Sequence, residues 1–528
     1  MRAARQRGAR HPAQGAAPAR HPAQGAAPAL VAAGVGSGVL LAVSLPPWGW
    51  WPAALVGAAG LAASLRERRW SQRLLVGAAA GIGLYGPGLW WMIQFSLPGY
   101  VVTTILEAAL LALAMVAVPP GRGRLVAFPA ALVVVTAVGG HWPFGGLPLA
   151  GIALGQAGGA LAAAARLGGH LLLVALVGAT GAALAGIGEA VGPSRRAEPR
   201  SRTLVGPLSA LAGVVAVAVT GALAPVGSSR GTLRAAAVQG GGIRGLRAVS
   251  VDPQLALQAH LAVIGDVARP VDVVVLPENV VNADAALAGS AQEAAVADVA
   301  RTLQATVVAG VVTDAGPDRF RNAAVAWAPD GRVVSTYEKV HRVPFGEYVP
   351  FRDLVSRVAD LSAVPRDAIA GTGPGLLETP VGPLGWRISY DVFFADWARA
   401  AVRAGAEVLL VPTNASSYTT SQVPGQELAA ARLRALETGR DVVQAAPTGF
   451  SAVVDAHGTV VRRSGLGSPA VVEATVARRH GQTLATRLGD GPLVVVAAAV
   501  LALGWAWARV RRRRAGRKDS SVPGGDES

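Results

Sequence analysis

The stretch Val271-Asp-Val-Val-Val-Leu-Pro-Glu-Asn279 decides the fold. Its apolar run is too short to cross a bilayer, which takes roughly 20 residues. It reads instead as a strand buried on both faces. Glu278 stands at its carboxyl end. Working outward, comparable runs recur between residues 225 and 490: Thr232–Gln239, Thr306–Thr313, Ala323–Ala328, Leu384–Tyr390, Glu407–Asn414, Asp441–Ala446 and Ser451–Asp455. Helical stretches such as Gln426–Thr438 lie between them, and Pro329-Asp330-Gly331 supplies a turn. This alternation predicts an α/β domain.

On the amino-terminal side the character changes. Seven apolar stretches, at about 30–46, 51–65, 74–96, 101–118, 125–140, 167–187 and 204–224, read as membrane segments. The region from 125 to 165 leaves room for a re-entrant piece. An eighth apolar run, Pro492–Ala508, follows the α/β domain. Arg66, Arg68, Arg69 and Arg73, then Arg122 and Arg124, then Arg195, Arg196, Arg200 and Arg202 occupy alternate connections. The intervening loops at 46–50, 97–100 and 141–148 hold no Lys or Arg. The positive-inside rule then places both termini in the cytoplasm and residues 225–490 outside it. Arg509, Arg511–Arg514, Arg517 and Lys518 fix the carboxyl end inside. The expected organisation is a disordered cytoplasmic tail over 1–29, a seven-span membrane domain over 30–224, an extracytoplasmic domain over 225–490, a transmembrane helix over 491–508 and a basic cytoplasmic tail over 509–528. The tail carries the unit ARHPAQGAAP twice in tandem, over 9–18 and 19–28, and has too few large apolar residues to bury a core. A cleaved signal peptide does not fit, because the first apolar run leads into further segments.

Composition agrees. Of 528 residues 52% are hydrophobic and 15% charged, and the mean hydropathy is +0.42. A soluble domain carries about 25% charged residues. The net charge of +16 comes from basic clusters between apolar runs, so it indicates topology and anionic lipid rather than nucleic acid. The chain has no cysteine, which excludes disulfides, thiolate metal sites and a thiol nucleophile. Its two lysines are Lys339 and Lys518.

Four polar strand ends carry the candidate chemistry, since sites in α/β sheets gather at the carboxyl ends of strands. They are Pro277-Glu278, then Tyr337-Glu-Lys-Val-His-Arg-Val-Pro-Phe-Gly-Glu-Tyr-Val-Pro350 with Lys339 and Glu347, then Gly385-Trp-Arg-Ile-Ser-Tyr-Asp391, and Val411-Pro-Thr-Asn414. A carboxylate, an ammonium and a nucleophile suffice for acyl transfer, as base, oxyanion stabiliser and attacking group. Each also has a structural reading: Glu278 as an acceptor for loop hydrogen bonds, Lys339 as a surface lysine, Ser389 as a small residue ending a strand. His341 reads as structural. Phe345, Tyr348, Val349, Phe351, Leu354 and Val355 fit either a core or a lid that touches lipid.

These segments, with Arg432-Leu-Arg-Ala-Leu-Glu-Thr-Gly-Arg440 and Thr448-Gly-Phe-Ser-Ala452, resemble the nitrilase superfamily and, within it, the apolipoprotein N-acyltransferases. The resemblance covers about residues 30–508. It implies a multi-span α-helical membrane protein of the bacterial inner membrane with an extracytoplasmic αββα nitrilase-like domain. It implies Glu278 as general base, Lys339 as oxyanion stabiliser and Glu347 as a second carboxylate, with Tyr390, Asp391 and Asn414 supporting. The family's nucleophilic cysteine falls at Ser389. Asp391 replaces the usual Glu, and Ala415-Ser-Ser-Tyr418 departs from the family pattern after Asn414. The implied activity moves an acyl chain from a membrane phospholipid to the amine of a lipoprotein's diacylglyceryl-cysteine, without metal or organic cofactor. Alternatives are a relative that binds lipid or lipoprotein without turnover, and a membrane-tethered amidase. A free thiol ionises near a pKa of about 8.5, whereas a serine hydroxyl needs a base to take its proton during attack.

Overall fold

The computed structural model describes residues 26–94, 96–121, 123–192, 200–242, 254–357, 360–362, 364–414 and 422–519. All eight apolar stretches are helices: α1 (Ala26–Val43), α2 (Trp51–Ser64), α3 (Trp70–Gly88), α4 (Leu97–Ala117), α5 (Arg124–Gly139), α6 (Ala165–Val191) and α7 (Arg200–Leu223) before the α/β domain, and one more after it. By length and composition Leu97–Ala117, Ala162–Val191, Thr203–Leu223 and Gly491–Val510 suffice to cross a membrane. Ala27–Val43, Trp51–Ser64 and Arg124–Gly139 are shorter apolar helices. The Ala162–Val191 window is 67% buried, and those of Thr203–Leu223 and Gly491–Val510 are 11% buried. The first is therefore the inner helix, and the other two present apolar side chains to lipid. Helix contacts rely on small residues, as they do where lipid removes the hydrophobic drive. A Cβ at Gly83 would lie 2.4 Å from the Val35 carbonyl oxygen, so α1 and α3 touch backbone to backbone.

Two boundaries differ from expectation. Helix α1 begins at Ala26, so residues 26–29 belong to it rather than to the tail; residues 1–25 lie outside the described residues. The last helix runs unbroken over Gly491–Asp519 and takes in the start of the basic tail, because no Pro or Gly interrupts Arg509–Ala515. Of the topogenic arginines, Arg122, Arg195 and Arg196 lie outside the described residues. Between α5 and α6 the chain makes short 3-10 turns at Leu154–Gln156 and Ala162–Ala164 and no further span.

The α/β domain consists of two sheets. Its elements are β1 (Ser228–Gln239), α8 (Gln254–Val263), β2 (Val273–Val275), β3 (Val281–Ala283), α9 (Ala291–Leu303), β4 (Thr306–Asp314), β5 (Arg319–Trp327), β6 (Val333–Glu338), α10 (Arg352–Val355), β7 (Asp367–Ala368), β8 (Leu376–Thr379), β9 (Gly382–Trp386), α11 (Ala395–Arg403), β10 (Val408–Pro412), α12 (Gln422–Thr438), β11 (Val442–Ala445), β12 (Ala452–Val454), β13 (Val460–Arg463), β14 (Ala470–His480) and α13 (Leu484–Leu488), and the apolar helix α14 (Gly491–Asp519) follows it. One sheet has the order β14-β1-β2-β4-β5-β6, with β3 on β4 and β7 on β5; the other runs β13-β12-β11-β10-β9-β8. The parallel pairs β1/β2, β2/β4, β9/β10 and β10/β11 form their centres.

Strand periodicity explains the layering. Val273 and Val275 face the other sheet and pack with Trp386, Leu410 and Val443. Val274 and Leu276 point the opposite way, towards Val296, Ala300 and Leu303 of α9. In the second sheet Leu409, Val411 and Val442 face α11 and α12, in a core that continues into Leu61, Leu173 and Val177 of the membrane helices. The outcome is an αββα sandwich whose α11–α12 layer sits on the membrane domain. Strands β3, β7, β8, β13 and β14 were not expected from sequence, and β6 only through its polar end at Tyr337–Lys339. They lie at or near sheet edges, and β13 leaves three of its four residues exposed, so they lack a continuous apolar run.

Candidate active site

Four strand ends converge. After β2 the chain turns at Pro277 and buries Glu278. The turn packs on β4 at Gly310, where a Cβ would lie 2.5 Å from Glu278 Cα and 2.7 Å from the Pro277 carbonyl oxygen. Any side chain there must displace Glu278. Gly310→Ala is expected to lower stability by about 1–3 kcal/mol through overpacking and to reduce activity further by moving the carboxylate. Thermal unfolding and turnover of the variant in detergent check this.

Lys339 follows β6 directly and is 2% exposed. Its Nζ donates to Glu278 Oε1 at 2.9 Å and to Glu347 Oε1 at 3.0 Å. Asn322 of β5 donates to the same two oxygens at 2.8 and 2.9 Å. The Val343 N–H donates to Glu347 Oε2 at 2.8 Å, closing the 343–347 turn. Burial opposes the Lys339 charge, but Glu278 and then Glu347 outweigh it and raise its pKa above the ordinary value. Burial raises Glu278, and Lys339 opposes that rise. The cluster thus holds one buried ammonium between two carboxylates, Glu278 buried and Glu347 partly so.

Ser389 comes three residues past Trp386 of β9, at the start of a 3-10 turn over Ser389–Phe393. Its φ is +46°, a left-handed conformation uncommon for a residue other than glycine and one that marks functional turns. Asp391 braces this elbow: Oδ1 accepts from the His341 N–H at 3.2 Å and Oδ2 from the Ile388 N–H at 3.3 Å. His341 stacks on Phe394 with ring centroids 3.9 Å apart. Tyr390 points the other way, donating to the Gly146 carbonyl at 2.9 Å in the loop between α5 and α6. Arg434 of α12 donates to the carbonyls of Val392 and Phe393 at 3.2 and 3.0 Å.

The Ser389 hydroxyl is 3.3 Å from Glu427 Oε1. Thr413, at the end of β10, donates to Glu427 Oε2 at 2.9 Å. Neither Glu427 nor Asn322 was expected from sequence: Glu427 sits in a stretch read only as a helix between strands, and Asn322 lies inside a strand. Yet nearly all of α12 is buried, including Gln426, Glu427, Arg434 and Glu437. A buried helix this polar must find partners for its polar groups. Gln422 and Gln426 donate to the Pro87 and Gly88 carbonyls at 2.6 and 2.9 Å, and accept from the Trp91 and Ala150 N–H groups. The helix start is thereby pinned to the membrane domain. At its other end Glu437 pairs with Arg434 at 2.9 Å and accepts from the His170 N–H at 2.6 Å. Burial alone would raise Glu437, but Arg434 and His170 hold it down to about 2. Arg434→Ala is expected to destabilise the protein by about 3–5 kcal/mol, because it strands the buried Glu437 charge; thermal unfolding in detergent measures it.

Of the remaining expected site residues, Asn414 is half-buried just past β10. The divergent stretch Ala415–Tyr418 lies outside the described residues. Phe144 of the α5–α6 loop meets Phe345 and Phe351 edge-on, each at 6.2 Å. All three rings are partly open to solvent, with Phe351 73% exposed.

An αββα sandwich with a Glu-Lys-Glu cluster and a positive-φ turn at Ser389, mounted on membrane helices, defines a membrane-bound member of the carbon-nitrogen hydrolase superfamily. Residues 234–485 match the carbon-nitrogen hydrolase family, and residues 37–183 match the apolipoprotein N-acyltransferase N-terminal domain. The chain is 31% identical to an apolipoprotein N-acyltransferase of Azotobacter vinelandii, over 91% of this chain and 95% of that one. It is 30% identical to that of Pseudomonas putida, over 90% and 96%. A 40% identical match to the enzyme of Gloeobacter violaceus spans 36% of each chain. The chain belongs to the apolipoprotein N-acyltransferase family.

Proposed function

We propose that this protein transfers an acyl chain from a membrane phospholipid, through an ester on Ser389, to the free amine of a lipoprotein's N-terminal diacylglyceryl-cysteine. The observation that carries this reading is the intact cluster of Lys339 with Glu278, Glu347 and Asn322. A buried ammonium held by two carboxylates, which Asn322 fixes in turn, is a preorganised donor for a developing oxyanion, and such donors supply a large share of catalysis in acyl transfer. Glu347 orients Lys339. Glu278 takes the surplus proton when the acceptor amine attacks the ester, and returns it to the departing Ser389 oxygen. The exposed rings of Phe144, Phe345 and Phe351 offer an apolar surface for acyl chains beside the site. No cofactor enters the reaction.

The serine itself favours a second reading, a lipid- or lipoprotein-binding relative without turnover, because a hydroxyl is a poorer nucleophile than a thiolate. A transfer assay separates the two. Purified protein in detergent receives phospholipid and a diacylated lipopeptide; triacylated product supports the enzyme, and lipopeptide binding without product supports the second reading. A small amide hydrolysed in its place points to an amidase.

This function requires the α/β domain outside the cytoplasm, as the basic connections favour. Ala288 and Glu67 are exposed, so cysteines there report on topology in a chain that has none. Ala288→Cys is expected to react with an impermeant maleimide in intact spheroplasts, and Glu67→Cys only after permeabilisation. The reverse pattern refutes the orientation.

A further inference from the structure

We propose that Glu427 is the general base for Ser389, forming a Ser-Glu dyad that Thr413 orients. The inference rests on the acyl-transfer reading above and deepens it by assigning the base that a serine nucleophile needs. Among the described residues, Glu427 is the carboxylate hydrogen-bonded to Ser389 Oγ. Glu278 Oε1 is occupied by Lys339 and Asn322. Glu427 is 3% exposed. One carboxylate oxygen accepts from Thr413 and the other faces the serine. Thr413 thus sets the carboxylate plane as the acid sets the imidazole in a serine-protease triad. Gln426, the neighbouring residue, fixes the helix through the Gly88 carbonyl and the Ala150 N–H. The base is therefore held by the membrane domain while the nucleophile is held by the sheet.

Acylation then balances. The Ser389 O–H bond breaks and its proton passes to Glu427 Oε1. Oγ bonds to the ester carbonyl carbon of the phospholipid, and the carbonyl electron pair becomes an oxyanion facing Lys339. Collapse breaks the bond between the acyl carbonyl carbon and the glycerol oxygen, and that leaving oxygen takes the proton from Glu427, giving lysophospholipid and acyl-Ser389. The charged groups facing Glu427 are Glu278, after β2, and Lys339, after β6. Burial pushes the Glu427 pKa up to about 7, against the hydrogen bond from Thr413 and with help from the Glu278 charge. A base is best placed when its pKa lies near the working pH. Because it acts deprotonated, the rate should rise with pH up to about 7 and then level off.

The test measures the single-turnover rate of Ser389 acylation by phospholipid across pH 5–9, in full-length protein, for wild type and Glu427→Gln, each also carrying Ser389→Cys. Glu427→Gln is expected to slow the serine enzyme by about a hundredfold or more and to remove the rise through pH 7. In the cysteine background the same substitution should cost much less, because a thiol ionises without strong assistance; a merely structural role would slow both backgrounds alike. Wild type that acylates, with Glu427→Gln equally fast and equally pH-dependent, overturns the dyad and leaves the acyl-transfer reading standing. Equal losses in the serine and cysteine backgrounds also overturn it. Absence of acyl-Ser389 in wild type overturns both.

Discussion

Replacing Ser389 by alanine is expected to lower acyl transfer by at least about a thousandfold, since removal of the attacking group from a serine enzyme costs up to about 10⁶ in kcat. The hydroxyl is small and sits on a braced turn, so the fold should persist and thermal unfolding should barely move. The informative partner is Ser389→Cys. Lys339, Glu278 and Glu347 are already in place near the turn, and a thiol supplies the ionisable nucleophile that the family resemblance implies at this position. Activity should rise by about tenfold or more, which needs only about 1.4 kcal/mol of barrier. A wild-type protein without turnover and a cysteine variant with it would identify a binding relative whose site is otherwise complete. If both are inert, the defect extends beyond one atom, and the stretch from Ala415 to Tyr418 becomes the next target.

Lys339→Ala should reduce transfer by about a hundredfold or more, the usual loss when one oxyanion donor is removed. It also leaves Glu278 and Glu347 facing each other without their shared cation, and such a buried charge costs about 3–5 kcal/mol. A loss of activity must therefore be read beside a melting curve. Glu278→Gln keeps the shape and lowers the charge of the cluster, so a comparable loss of turnover with little loss of stability isolates the chemistry. Normal turnover in either variant refutes the assigned roles.

Much of the architecture was legible because its physical signals are strong. Apolar length and alternating arginine clusters marked the membrane helices. Buried parallel strands such as Val273–Val275 marked the sandwich. The strand-end residues Glu278, Lys339 and Ser389 were legible because polar groups interrupt apolar runs at the carboxyl ends of strands. Edge strands escaped, since β13 and β14 are largely exposed or mixed in character. Asn322 escaped because nothing in Arg319–Trp327 distinguishes a buried amide from an outward one. Glu427 escaped for a different reason: its burial depends on α12 being clamped between the second sheet and the membrane domain, and no local pattern in Gln422–Thr438 reports that clamp. The serine made a missing base foreseeable; its position required the tertiary structure.

The most direct test of the account is the covalent state of Ser389. Wild-type protein is incubated with phospholipid, quenched and digested, and the peptide carrying Ser389 is weighed by mass spectrometry. The account predicts an added fatty-acyl mass in ester linkage on that residue, absent from Ser389→Ala and discharged when a diacylated lipopeptide is added. An unmodified Ser389 peptide while lipopeptide is being acylated would contradict it.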